Sequence, residues 1–146
     1  MTALRDRIVA EARSWIGTPY RHQASRKGVG CDCLGLVRGV YRAIVGVEPE
    51  PPPPYAPDWA EAEGGDRLMR AAERCLVRPP EDRILPGDVL LFRWRADLAA
   101  KHCAILSAPN RFVHAYERSA VVETILVPQW RRRIAGVFSF PDSSEA

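Results

Sequence analysis

Residues 28–41 read G-V-G-C-D-C-L-G-L-V-R-G-V-Y. Two glycines and an aspartate run into a cysteine, and an apolar pattern of helical spacing follows at once. Asp32 has a short side chain suited to capping the first N–H groups of a helix. Cys33 therefore falls in the first turn, where backbone N–H groups lack intrahelical partners and the helix dipole is positive. Both effects stabilise a thiolate and draw the thiol below its free pKa of about 8.5. Leu36, Val37, Val40, Tyr41, Ile44 and Val45 make the helix apolar over a wide arc, as a central helix requires. Gly35 and Gly39 share one side at i,i+4, which permits another backbone to approach and leaves room for substrate near the thiol. Gly46 closes the helix. The expectation is a buried helix that presents Cys33 as a nucleophile.

Upstream, Thr2 is a plausible N-cap for a helix over residues 3–16, with Leu4, Ile8, Ala12, Trp15 and Ile16 on one face. Gly17 and Pro19 end it. The stretch 18–30 loses periodicity and reads as a polar connector, a kind of segment that often lines sites. Downstream, E-P-E-P-P-P-P-Y-A-P at 48–57 excludes helix and central strand and reads as a stiff surface crossing. Asp58 and Glu61 form a capping-box pattern for a short helix that breaks at Gly64-Gly65. A further helix spans Asp66 to Leu76, with Cys75 as a small core residue.

From Leu85 the pattern changes to strands. L-P-G-D turns into V-L-L-F-R-W (89–94), and H-C-A-I-L-S (102–107), F-V-H-A-Y (112–116), V-V-E-T-I-L-V (121–127) and residues 134–140 follow. Short apolar runs joined by tight turns predict an antiparallel meander. Helices first and strands afterwards give an α+β class. The chain of 146 residues reads as one domain over 1–140 with a loose tail at 141–146.

Composition narrows the function classes. The net charge is +3 and spread along the chain, so it names no partner and no nucleic-acid surface. The one dense run, Arg131–Arg133 beside Trp130, reads as a solvated strand end rather than a footprint for an anionic polymer. No run approaches the ~20 apolar residues of a membrane span, and no secretory signal is visible. The expectation is synthesis in the cytoplasm with free thiols. Cys31 and Cys33 stand too close for a relaxed bridge; Cys31 reads as filler in the approach loop, or as a partner for a regulatory bond. A metal site of Cys31, Cys33, His102 and Cys103 is a poor reading, because neighbouring strand residues point to opposite faces. No metal and no cofactor are expected.

The three histidines are His22, His102 and His114. His102 and His114 fall on successive strands across one turn and can sit side by side. A nucleophile, a base within reach and a third group orienting that base are the parts of covalent acyl transfer. Cys33, His102 and His114 fill those roles, and the Cys33 N–H at a helix start is placed to stabilise an oxyanion.

The segments G-T-P-Y (17–20), G-V-G-C-D-C-L-G-L (28–36), L-P-G-D-V-L-L-F (85–92), K-H-C-A-I-L (101–106) and F-V-H-A (112–115) occur in that order. Together they resemble the NlpC-type cysteine peptidases, papain-like bacterial and phage enzymes that cut peptidoglycan stem peptides. The resemblance implies a papain-like fold, with N-terminal helices and the nucleophile helix packed on an antiparallel sheet. It places the family's cysteine on Cys33, its base on His102, its third polar residue on His114 and its tyrosine on Tyr20, beside the nucleophile. It implies hydrolysis of the amide between D-γ-glutamate and a diamino acid. Tyr20, His22, Asp32 and Leu34 are the candidates for substrate contact, Leu34 standing where the family has serine. The chain is especially similar to stand-alone peptidases of phage tail and gene-transfer-agent clusters. That likeness implies tail or hub proteins as partners and delivery to the cell wall in a phage-like particle. The rivals are an amidase or acyltransferase on the same fold, which an apolar groove beside Cys33 would favour, and a catalytically idle tail-hub subunit.

Overall fold

A computed structural model describes residues 2–49, 66–80 and 83–142. The capping-box helix after Asp58, the proline-rich stretch from residue 50 to 57 and the tail from residue 143 lie outside the described residues. The first helix, α1 (Ala3–Ser14), starts at Thr2, whose hydroxyl accepts from the Arg5 N–H at 3.2 Å. It stops two residues earlier than its apolar pattern predicts. Trp15 is its C-cap and Gly17 turns the chain at φ +94°, so Ile16 leaves the apolar face and is 46% exposed. The connector is not all loop. β1 (Ser25–Arg26) and β2 (Gly30–Cys31) form a small antiparallel hairpin that leads into α2 (Cys33–Ile44). α3 (Arg67–Cys75) buries Leu68 and Ala72, as its spacing predicts.

Five strands follow: β3 (Val89–Phe92), β4 (His102–Ala108), β5 (Arg111–Ala115), β6 (Val121–Ile125) and β7 (Ile134–Phe138). They form one antiparallel sheet in the order β6-β5-β4-β3-β7. The meander is therefore broken once, because β7 pairs with β3 at the far edge and not with β6. Burial explains it: all four residues of β3 are buried, so the backbone N–H and C=O groups on the edge away from β4 have no water to bond and need a paired strand, which β7 supplies. The crossing passes through a short helix, α4 (Pro128–Arg131), that the strand pattern does not announce.

Strand alternation splits the core in two. Val89, Leu91, Cys103, Ile105, Val113 and Ala115 face α1 and α2, packing with Ile8, Ala12, Trp15, Leu36 and Val40. Leu90, Phe92, Ala104, Leu106 and Phe112 face the other way, under Leu126, Trp130 and Ile134. The glycine pair on α2 serves both contacts of that helix. Gly35 abuts the Ala24 carbonyl, the backbone approach its spacing suggests, whereas the room at Gly39 is filled by the Trp15 indole and not by backbone or substrate. At the base of the sheet, buried Asp88 accepts from Arg5 (2.8 Å), Ser139 (2.7 Å) and the Leu85 N–H (2.9 Å), tying α1 to β3 and the chain's end. No helix among the described residues is long and apolar enough to cross a membrane.

Candidate active site

Cys33 is the first residue of α2, and the hairpin before it sets its position. Asp32 is buried and caps the helix, one oxygen accepting from the Gly35 N–H at 2.7 Å and the other from the Gln23 N–H at 2.8 Å. A single carboxylate thus ties the connector to the helix start, which makes Asp32 a structural group beneath the thiol. The Ser25 hydroxyl donates to the Gly35 carbonyl at 2.6 Å, and Arg42 donates to the Ser25 carbonyl at 2.6 Å. Tyr20 bridges to Cys31, and its N–H donates to the Ser119 carbonyl at 3.0 Å. Burial, then the nearby Cys33 and Asp32 charges, push its phenol pKa up, so Tyr20 stays a neutral O–H beside the nucleophile.

The histidines meet as diagonal neighbours. The Ile105↔Val113 and Leu106↔Phe112 register, continued two residues, sets His114 opposite Ala104, one step from His102 on the same face. His102 Nε2 lies 2.8 Å from His114 Nδ1, and His114 Nε2 lies 2.9 Å from Thr124 Oγ1. His114 is fully buried. Burial and then the neighbouring His102 charge lower its pKa from 6.5 to about 3, so it is neutral at ordinary pH. A neutral ring has one N–H. When His102 is protonated it donates through Nε2 to His114 Nδ1, which leaves the His114 proton on Nε2 to donate to Thr124. Thr124 is the member of this chain that sequence reasoning missed. Its signal was its strand parity: Thr124 pairs with Phe112, two residues from His114 on one face.

At the thiol itself, the Cys33 pKa is drawn well below its ordinary value. The largest cause is a hydrogen bond from the Cys103 thiol; burial opposes it, and a hydrogen bond and charge from His102 assist. The Cys103 thiol is correspondingly pushed up, since its proton is held against the Cys33 sulfur. Alternation separates His102 from Cys103, yet both are among the causes that lower the Cys33 thiol. His102 is the first residue of β4, its ring among Phe92, Trp94, His114 and Trp130, while Cys103 packs in the cluster between the sheet and α2. Cys31 sits on β2, not in a loop, and burial pushes its thiol up to about 12. Among the described residues, no three His, Cys, Asp or Glu side chains are grouped to hold a metal ion.

His22 is exposed on the connector and is not among the groups that shift the Cys33 thiol. Leu34 lines a cavity of about 280 Å³ between α2 and α3, together with Val37, Tyr41, Leu68, Leu91 and Cys103. An aromatic wall around the histidines was not foreseen. Trp94 stacks on His102 at 6.0 Å and 19°, and Trp130 lies 5.6 Å from His114 and 5.7 Å from Trp94. The wall covers the hydrogen-bonded pair from one side. The basic run belongs to the end of α4 and the turn after it, not to a strand, and the Arg133 guanidinium lies 5.5 Å from the Trp94 ring.

A thiolate, an imidazole bonded to it and a fixed orienting chain can carry out acyl transfer. Comparison with known proteins agrees with that chemistry. The model of the NlpC/P60 family matches residues 17–139. Over 134 residues the chain is 29% identical to the Gamma-DL-glutamyl hydrolase of Bacillus subtilis (strain 168), covering 91% of this chain and 29% of the relative. Over 131 residues it is 30% identical to the Murein DD-endopeptidase MepS/Murein LD-carboxypeptidase of Escherichia coli (strain K12), covering 89% and 60%. The chain thus spans less than two thirds of either curated relative. Among solved structures, the NlpC/p60 domain of the peptidoglycan hydrolase SagA superposes with a TM-score of 0.66 at 23% identity, covering 93% of this chain and 98% of that one. NlpC2 from Trichomonas vaginalis superposes with 0.63 at 19% identity, covering 96% and 48%. These likenesses establish the fold as the α+β, papain-like arrangement.

Proposed function

This chain belongs to the NlpC/P60 family, and from that premise we propose that it is a cysteine peptidase hydrolysing amide bonds in peptidoglycan stem peptides. The observation that carries the reading is the hydrogen-bonded line from His102 through His114 to Thr124, beside a Cys33 thiol whose pKa is drawn down with His102 among the causes. Cys33 Sγ attacks the carbonyl carbon, and the Cys33 N–H at the helix start receives the developing oxyanion. His102 gives its proton to the departing amine, leaving a thioester. It then takes a proton from water as the water oxygen bonds to the thioester carbon and the C–S bond breaks, which releases the acid and restores the Cys33 thiolate beside protonated His102. His114 and Thr124 hold the His102 ring throughout. The bond favoured is D-γ-glutamyl–diamino acid, which the segment resemblance implies; the name of the Bacillus subtilis relative supports its γ-glutamyl side alone.

Digesting purified sacculi with wild type and Cys33→Ala, followed by mass spectrometry of the fragments, tests this. Wild type is expected to release γ-glutamyl-cleaved muropeptides and the variant none. Equal release by both defeats the mechanism. We further propose delivery in a phage-like tail, resting on the likeness of the motif segments to peptidases of phage tail and gene-transfer-agent clusters. Its test is the protein's presence among tail proteins of purified particles from the source cell, and its absence there ends that proposal. A second reading, an amidase or acyltransferase, is favoured by one observation: the apolar cavity shares Leu34 and Cys103 with the surroundings of the nucleophile. Turnover of small acyl esters without muropeptide cleavage would select it.

A further inference from the structure

One indole separates the base from a cation. Trp94, two residues past the end of β3, lies 6.0 Å from the His102 ring and only 19° from parallel to it. The Arg133 guanidinium stands 5.5 Å from the Trp94 ring and 5.9 Å from the Trp130 ring. The Lys101 ammonium adds a second positive charge 5.7 Å from Trp94. Backbone bonds fix Arg133 in place, since its N–H donates to the Trp130 carbonyl at 3.0 Å and its carbonyl accepts from the Arg93 N–H at 2.9 Å. Arg133 is exposed, and among the described residues no carboxylate forms an ion pair with it. Asp97, on the same loop as Trp94, pairs with Arg95 at 3.5 Å. Resting on the peptidase reading above, we propose that Trp94 and Arg133 form the subsite for the residue that leaves with the amine, and that Arg133 selects a carboxylate on that residue.

His102 uses Nε2 for His114, at 2.8 Å, so Nδ1 is the nitrogen left to hand a proton to the departing amine. The acyl half of the substrate stays on Cys33, and the residue carrying the amine is the half that passes the His102 ring. The groups beside that ring are therefore its first contacts. Trp94 offers its indole to an apolar chain, and the guanidinium next to it meets a charge. Cation–π contact pre-orients the Arg133 side chain, and its planar fork takes a carboxylate through two parallel N–H donors. In a diamino acid of the diaminopimelate kind, a five-carbon chain carries the reacting amine at one end and a second carboxylate at the other. An amide in place of that carboxylate keeps the shape and loses the charge. Lysine, which ends in an ammonium, meets two like charges there.

Two peptides separate charge from shape: L-alanyl-γ-D-glutamyl-meso-diaminopimelate with its side-chain carboxylate free, and the same peptide with that carboxylate amidated. Release of the diamino acid by purified wild type is expected to favour the free acid by about tenfold or more in kcat/KM. In Arg133→Gln the ratio is expected to collapse towards one, mainly through a higher KM for the free acid. Arg131→Gln is the control for the charge of the basic run, because Arg133 alone of that run lies over the two indoles among the described residues. It is expected to keep the wild-type ratio. A wild-type ratio near one, an unchanged ratio in Arg133→Gln, or an equal collapse in Arg131→Gln overturns the proposal and leaves the peptidase reading intact. Hydrolysis of neither peptide by wild type removes that reading, and the subsite falls with it. The wild-type ratio is read on the unmodified sequence, so it does not depend on any variant folding.

Discussion

Thr124 and Cys103 act on the site through other residues, and each is separable by one substitution. Valine at 124 keeps the shape and removes the oxygen 2.9 Å from His114 Nε2. The buried N–H then lacks a partner, at a cost of about 1–3 kcal/mol, and His114 is released toward the tautomer that faces His102 with a proton. The expected outcome for Thr124→Val is a fall in kcat of about tenfold with KM unchanged, read on muropeptide hydrolysis, and Thr124→Ser restores the rate. At 103 the lost group is the donor that most lowers the Cys33 pKa. Cys103→Ala therefore moves the rise of iodoacetamide labelling at Cys33 to higher pH, and Cys103→Ser, which keeps a donor, moves it less. A Cys103→Ala profile that coincides with wild type would show that His102 alone holds the thiolate.

The elements that place Cys33 meet through glycines. A Cβ at Gly35 would strike the Ala24 carbonyl, which already accepts from the Asp32 N–H at 3.2 Å and cannot withdraw. One at Gly39 would strike the Trp15 ring, whose Nε1–H is held by Glu11 at 3.0 Å. Both alanine variants are expected to lose about 1–3 kcal/mol in urea denaturation from overpacking. They differ in what else changes. Gly35→Ala displaces the first turn of α2 and slows Cys33 labelling in the folded protein, whereas Gly39→Ala disturbs the α1–α2 contact and leaves labelling near wild type. Equal labelling in the two would mean that the hairpin, not the helix contact, sets the thiol.

Across the whole molecule, one buried imidazole ties stability to pH. His114 has a folded pKa of about 3 against an ordinary 6.5. Above 6.5 both states are neutral there and the native state is unaffected. As pH falls from 6.5 towards 3 the unfolded chain takes a proton that the native state refuses, so stability drops by up to ~1.4 kcal/mol per pH unit. The midpoint of urea denaturation should fall over that interval in wild type and fall less in His114→Gln. The same slope in both proteins would place the acid sensitivity elsewhere.

The amino-acid sequence by itself determined the α+β order of elements, the helix that opens at Cys33 with Asp32 as its cap, and the same-face placement of His102 and His114. All three are set by local patterns: a capping residue before an apolar helical spacing, a period of two along strands, and a single turn between two of them. Tertiary structure alone decided the rest. β7 left the meander for the far edge of β3 because the backbone groups on that buried edge need hydrogen-bond partners, which no pattern inside β7 records. Cys103 came to the nucleophile's helix because its side of β4 packs against α2, a pairing between elements that no pattern inside either one records. Trp94 and Trp130 closed over the histidines from a loop and a short helix far apart in the chain. Leu34 turned towards the cavity under α3, and His22 stayed exposed, because the path of the chain around α2 fixes which side of the thiol each residue faces.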